Sequence, residues 1–381
     1  MTTTSPDRTI TSPVCNALPS DGSLCLRDSF GRNIDYLRIS LTDRCNLRCV
    51  YCIPEEGVPS LRHEEILTLE EIETISALAA EQGIKHIRLT GGEPLVRKGI
   101  VDLIHSLKAI PGIESVALTT NGILLGTMAQ ELKEAGLDRV NISLDSLDPK
   151  QYHAITRRGH LSDALKGIDA ALTHGLDPVK INVVAIRRFK QDFTTFANLT
   201  IDQPLHVRFI EYMPVGHVHD DSSASSSLSN NMTGFLWAAD DVISAQEIFM
   251  TLTQELTAQN KGALIPLPPS TSTLNSDDAE SCGPEGWGPA TYYQIKGAQG
   301  TIGFISAVSE HFCSSCNRLR LTSDGRLRSC LFSDAEVSLR DALRNHGSEG
   351  VYRAFERTLK TKPAGHHNRL GTARSMNQMG G

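Results

Sequence analysis

Three cysteines fall within eight residues, Cys45-Asn46-Leu47-Arg48-Cys49-Val50-Tyr51-Cys52, directly after a strand-like run from Ile34 to Leu41. Thiols spaced C-x3-C-x2-C leave one over however they pair, and separations this short suit wrapping one compact inorganic core better than bridging distant segments. A cluster of four irons and four sulfides normally takes four thiolates, so three leave one iron open to a substrate or cofactor. A zinc site completed from elsewhere in the chain is the alternative, and three ordinary buried cysteines fit this spacing poorly.

A second trio lies far downstream: Cys313 and Cys316 in Cys-Ser-Ser-Cys, then Cys330 after thirteen further residues. Between them, Arg318 to Arg328 alternates around Ser323-Asp324-Gly325, which predicts a hairpin. With a three-residue loop and Gly325 in the left-handed region, Leu321 faces Leu327, Arg320 faces Arg328 and Cys330 returns opposite Arg318. A two-residue turn would slip that register by one. Three ligands again suggest a cluster with an open iron, here beside arginines suited to phosphate. A structural zinc hairpin with His311 as fourth ligand competes with that reading.

Other residues are weaker candidates. Thr90-Gly91-Gly92-Glu93-Pro94 follows a second strand-like run; its glycines permit close backbone approach and Glu93 suits an ammonium group, although an ordinary turn has the same composition. Asp145 and Asp148 read equally as acid–base groups and as turn or cap residues. His366-His367 reads as a solvent-exposed pair in a polar tail. Arg369 and Arg374 would guide the last residues or contact phosphate, and serve solubility equally well.

With these residues in view, Leu41 to Cys52 resembles the signature of the radical S-adenosylmethionine (SAM) enzymes. The flanks resemble the GTP 3′,8-cyclases, which open molybdenum cofactor biosynthesis, and the likeness runs from about Asp28 to Gly381. The resemblance implies a 4Fe-4S cluster on Cys45, Cys49 and Cys52 that cleaves SAM to methionine and a 5′-deoxyadenosyl radical. It implies a second 4Fe-4S cluster on Cys313, Cys316 and Cys330, whose open iron contacts the purine of GTP. SAM contacts map to Tyr51, Gly92, Ser143 and Met213. GTP contacts map to Arg38, Arg88, Thr119, Lys180, Arg318 and Arg320, and a Gly380-Gly381 tail is inserted toward the site. Hydrogen would leave C3′ of GTP and the carbon radical attack C8, giving (8S)-3′,8-cyclo-7,8-dihydroguanosine 5′-triphosphate.

Implied partners are GTP, an electron donor such as flavodoxin or ferredoxin, and cyclic pyranopterin monophosphate synthase, the next enzyme, by product hand-off. A homodimer is one open assembly; nucleic acid and membrane are not expected partners. Two readings compete: a radical SAM peptide maturase with an auxiliary cluster, which usually carries more downstream cysteines, and a non-enzymatic zinc-binding interaction protein.

The elements that must position these residues are legible as alternation. Strand-like runs at Ile34 to Leu41, Lys85 to Leu89, Ser115 to Thr120, Arg139 to Leu144, Val179 to Ile186 and His206 to Tyr212 are separated by helical stripes. The stripes include Leu69 to Ala79, Leu103 to Leu107 and Leu161 to Leu172. Parallel βα units follow. Periodicity leaves an open sheet and a barrel equally possible; the resemblance implies an α/β fold built as a partial (βα)6 TIM-type barrel with a C-terminal covering layer. The expected divisions are a disordered Thr-, Ser- and Pro-rich leader (1–27), the barrel (28–216) and an auxiliary-cluster and GTP-binding region (217–381). Flexible loops are expected near 217–233 and 266–289. Later elements are a helix over Ile243 to Leu256, two strands within Thr291 to Val308, and helices near Val337 to Leu343 and Val351 to Leu359.

A formal charge of −7 over 381 residues, with pI near 6.0, argues against a protein that coats nucleic acid. Six of the nine cysteines lie in the two trios, while Cys15, Cys25 and Cys282 stand alone as free thiols. Such clustering points to metal ligation in a reducing compartment and a cytoplasmic location. No apolar run approaches membrane-spanning length.

Overall fold

The structure, a computed structural model, describes residues 26–57, 61–216, 236–268, 283–284, 286–366 and 370–380. Residues 1–25 of the leader, the 217–233 loop, most of the 266–289 loop, Cys15, Cys25, Cys282, His367, Arg369 and Gly381 lie outside the described residues, while Leu26 and Arg27, expected in the disordered leader, pair as a strand with Asn33–Ile34.

A short antiparallel ribbon, β1 (Leu26–Arg27) with β2 (Asn33–Ile34), precedes the repeating part of the chain. That part runs β3 (Tyr36–Ser40), α1 (Leu69–Glu81), β4 (His86–Thr90), α2 (Ile100–Ala109), β5 (Ser115–Thr120), α3 (Leu125–Glu134), β6 (Arg139–Ser143), α4 (Pro149–Thr156), α5 (Leu161–Thr173), β7 (Val179–Ala185), α6 (Phe193–Asp202) and β8 (Leu205–Glu211). The six expected strands form in sequence order, each parallel to the next. Local chemistry starts the helices. Thr68 accepts from Glu71 N while Glu71 returns to Thr68 N, a capping box at α1. Asp148 caps α4 by accepting from Gln151 N, which settles its role as a cap.

The C-terminal region supplies α7 (Ala245–Ala258), β9 (Leu264–Pro266), β10 (Thr291–Ile295), β11 (Thr301–Ile305), β12 (Arg318–Leu321), β13 (Arg326–Arg328), β14 (Glu336–Ser338), α8 (Leu339–Lys360) and α9 (Met376–Met379). Expected as a covering layer, it also continues the sheet at both edges. Strand β12 lies parallel to β3 and β11 parallel to β8, giving, among the described residues, one mixed sheet of 12 strands in the order β14-β13-β12-β3-β4-β5-β6-β7-β8-β11-β10-β9. The reason is elementary: an unpaired edge leaves a row of backbone donors and acceptors unsatisfied, and these later strands pair both edges. The two expected C-terminal helices form as α8, which breaks at Gly347, while Val337 belongs to β14.

The two faces of the parallel strands differ in chemistry. Leu37, Ile39, Ile87, Leu89, Val116, Leu118, Val140, Ile142, Ile181, Val207 and Phe209 lie on one face, in the same apolar core as α1 to α7. The alternate positions are mostly polar and mostly buried as well. A buried polar face has no purpose in packing alone and marks where chemistry is to be sought.

Candidate active site

The first cysteine loop leaves the carboxyl end of β3 and is clasped by the Gly-Gly turn that follows β4. Gly92 N donates to Thr42 O at 2.7 Å and Glu93 N to Arg44 O at 2.8 Å. A Cβ on Gly92 would stand 2.3 Å from Arg44 O, so the approach requires glycine. From the other side, Val50 N donates to Ile155 O at 2.9 Å and Arg48 N to Thr156 O at 3.1 Å, seating the loop on the end of α4. Burial pushes the Cys45 thiol up to about 11. Burial and then Cys45 push Cys52 up to about 12, and burial followed by Cys52 raises Cys49 well above the usual thiol range. Three thiols that resist ionising in one another's company need cationic metal to become thiolates together. Among the described residues, no three His, Cys, Asp or Glu side chains are grouped as ligands of one metal ion. Three free thiols on one tight loop are the soft donor set that a four-iron core takes, each thiolate at a different iron, so the residue types fit a cluster.

Around this loop, Tyr51 donates to Asp145 Oδ2 at 2.6 Å, and its ring lies 6.3 Å from Phe189 and 6.2 Å from Tyr212. Asp145, pushed up to about 6 by burial, also accepts from Val184 N, so it fastens the Tyr51 loop to β7. Glu93 is tied to its own neighbours. Its carboxylate accepts from Thr120 Oγ1, Asn121 N and Leu95 N and is 1% exposed, which spends it on joining two strand ends. Burial pushes it up to about 7. Ser143 ends β6. Met213 follows β8 and packs against the apolar cluster of Leu331, Phe332 and Met379, which Cys330 also borders.

The hairpin forms in the expected register. Arg320 pairs with Arg328 and Leu321 with Leu327, and Gly325 turns at φ 78°. The ladder ends there, without pairing Cys330 to Arg318. Lys362 ties these segments instead, its Nζ donating to Arg318 O at 2.9 Å, Ser329 O at 2.7 Å and Cys316 Sγ at 3.5 Å. Burial raises the Cys316 thiol, but Lys362 and Arg318 outweigh it and bring the group down to about 7. His366, expected in solvent, is buried; its ring meets His311 edge-on at 4.1 Å and stacks on Phe332 at 4.4 Å. Aromatic contacts from distant segments take the residue out of water.

Strand pairing then assembles the nucleotide candidates. Arg320 lies beside Arg38 and Arg38 beside Arg88, and the same parity carries Thr119, Ser143, Lys180 and Arg318 onto the polar face. Arg139, Arg208, His86 and His206 share this face and were not singled out by motif. Alternation within a strand reaches His86 from Arg88 and Arg139 from Ser143, whereas β8 itself carries no candidate from which to reach His206 and Arg208. No Asp or Glu stands on this face within β3 to β8, β11 or β12. Burial and then Arg318 bring Arg320 down to about 10, and burial and then Arg320 hold Arg38 well below its ordinary value. His206 falls to about 3 through burial, Lys180 and Arg208. Thr119 Oγ1, Arg88 Nη1 and Arg318 Nε are buried without a hydrogen-bond partner. Mutually repelling cations and orphaned polar atoms are chemically suited to a polyanion with further acceptors.

The chain's last described residues enter this face. Arg320 Nη1 donates to Gly380 O at 2.8 Å, and a Cβ on Gly380 would stand 2.1 Å from Thr90 Oγ1. Asn377 Nδ2 donates to Asp43 O at 3.1 Å. Arg374 pairs with Asp324 at 2.8 Å and Glu336 at 2.7 Å, so it anchors the tail through carboxylates.

Comparison with known proteins follows this geometry. The Radical SAM superfamily profile matches residues 39–199 and the Molybdenum Cofactor Synthesis C profile residues 271–368. The chain is 48% identical over 360 residues to a GTP 3′,8-cyclase of Pelotomaculum thermopropionicum, covering 93% of this chain and 100% of that one. It is 47% identical to the GTP 3′,8-cyclase of Petrotoga mobilis, covering 93% of this chain and 99% of the relative. The fold is similar to the crystal structure of Streptococcus suis SuiB bound to S-adenosylmethionine (TM-score 0.51, 14% identity, 84% of this chain and 65% of that one). Near-half identity along the full length of these relatives places the chain in the GTP 3′,8-cyclase family of radical SAM enzymes.

Proposed function

We infer that this chain cyclises GTP to (8S)-3′,8-cyclo-7,8-dihydroguanosine 5′-triphosphate, the first step of molybdenum cofactor biosynthesis. The observation that carries the reading is the buried cationic face running from the first cysteine loop to the second trio. We also read β3 to β8 as a partial barrel of TIM type, with the auxiliary region beginning near residue 217.

In this reading Cys45, Cys49 and Cys52 would hold a 4Fe-4S cluster, with Tyr51, Gly92, Ser143 and Met213 arranging SAM beside it. That cluster supplies the electron that cleaves SAM reductively. Cys313, Cys316 and Cys330 would hold a second cluster facing the purine. Arg38, Arg88, Lys180, Arg318 and Arg320 neutralise the triphosphate, and Thr119 offers a hydroxyl to the nucleoside. Burial of this face keeps water from C3′ and C8 while they are held at reacting distance. The reading also carries a donor such as flavodoxin or ferredoxin and, downstream, cyclic pyranopterin monophosphate synthase.

The test is anaerobic incubation with SAM, a strong reductant and each of the four nucleoside triphosphates in turn. GTP alone should give the cyclised product, with 5′-deoxyadenosine formed. Replacing Cys45, Cys49 or Cys52 by Ala should abolish 5′-deoxyadenosine, whereas replacing Cys313, Cys316 or Cys330 should spare some SAM cleavage and lose the product. Abundant zinc without acid-labile sulfide in anaerobically purified protein would overturn both cluster assignments.

A further inference from the structure

Lys362 lies in the turn after α8, 3% exposed, and its ammonium uses its donors on Arg318 O, Ser329 O and Cys316 Sγ. Two of those acceptors are neutral carbonyls. Among the described residues no carboxylate forms an ion pair with it. The cations that act on it or beside it, Arg32 and Arg318, add charge of the same sign, and Arg32 already pairs with Asp28 at 2.5 Å. A buried ammonium calls for a counter-charge, and the acceptor other than carbonyls that Lys362 meets is the Cys316 sulfur at 3.5 Å.

The turn is fixed for this purpose. Lys362 N donates to Leu359 O at 3.2 Å, while the Arg32 guanidinium donates to Pro363 O at 2.7 Å, Ala364 O at 3.1 Å and Cys313 O at 2.6 Å. One arginine thereby joins the lysine turn to the cysteine turn. At the first trio the donors to sulfur are neutral, Leu47 N at 3.4 Å and Asn121 Nδ2 at 4.0 Å from Cys45 Sγ.

We propose that Lys362 is the built-in counter-charge of the C-terminal cluster, and that its N–H donation to the Cys316 sulfur raises the reduction potential of that cluster. The proposal rests on the two-cluster reading above. The physical ground is that a positive charge and a hydrogen bond at a ligand sulfur stabilise the more electron-rich state of a cluster.

The test uses full-length protein carrying Cys45→Ala, Cys49→Ala and Cys52→Ala, reconstituted anaerobically with iron and sulfide so that only the C-terminal site loads. Iron content and the midpoint potential, followed by absorbance and paramagnetic resonance in a redox titration, are compared for Lys362, Lys362→Arg and Lys362→Gln. Lys362→Gln, which keeps an N–H donor without the charge, should shift the midpoint to more negative potential or lose iron, while Lys362→Arg stays near the parent. A loaded Lys362→Gln protein with an unchanged midpoint overturns the proposal. So does equal iron loss in both variants, since the residue would then act by packing. Failure of the Lys362 parent to retain iron and sulfide overturns the two-cluster reading itself.

Discussion

Arg318 and Arg320 reach the polar face from alternate positions of one short strand, and neither meets a carboxylate there. Replacing either by Ala should weaken GTP binding by roughly one to a few kcal/mol and leave SAM binding nearly unchanged, measured by equilibrium binding at fixed salt. The loss should be larger at Arg320, which also holds Gly380 O. His206 gives a pH signature. Its folded value near 3 lies below the 6.5 of an unfolded histidine, so the unfolded chain binds more protons between them. The stability it protects is complete above 6.5 and is lost as pH falls toward 3, by at most about 1.4 kcal/mol per pH unit. Glu93, raised from 4.5 to about 7, works in the opposite sense, losing stability as pH rises through that interval. In thermal unfolding of metal-free protein, His206→Gln should flatten the acid slope and Glu93→Gln should steepen it. An unchanged slope in both would contradict the assigned environments. At this scale both cysteine trios were legible from spacing, whereas Arg139 and Arg208 sit beside no motif. The burial of His366 depends on His311 and Phe332, contacts that no local pattern encodes.

Elements were legible where their determinants are local. The hairpin register followed from alternation and one left-handed glycine, and the six parallel strands from their β-branched runs. Helices α3, α4 and α6 carried weaker stripes; α3 buries only Leu125, Ala129 and Leu132. The pairing of β12 with β3 could not be read at all, because strand edges do not name their partner. Two elements yield direct tests. Gly92→Ala drives a methyl group against Arg44 O and should lower iron at the first site while leaving iron at the second, read by iron analysis in each single-trio protein. Removing Gly380 and Gly381 should leave iron content and SAM cleavage nearly intact and suppress the cyclised nucleotide. Full cyclisation by the truncated protein would make the tail dispensable.

The whole molecule joins an acidic chain, net −7, to a cationic interior face, so the basic residues are gathered where a polyanion would sit. Among the described residues no helix is long and apolar enough to cross a membrane. Across the boundary proposed near residue 216, β11 and β12 complete the sheet on either side of the earlier strands. A fragment of residues 26–216 should therefore be far less soluble than the full chain, checked by sedimentation after expression at equal levels. The same connectivity imposes an order in time. During synthesis β3 leaves the ribosome about 280 residues before β12, a wait on the order of 15–60 s at ordinary elongation rates. Through that interval the nascent sheet has both margins open to strands from other chains, and only the late arrival of β11 and β12 closes them. Slower-growing, cooler cultures and abundant chaperones should thus raise the yield of folded protein before any metal is supplied.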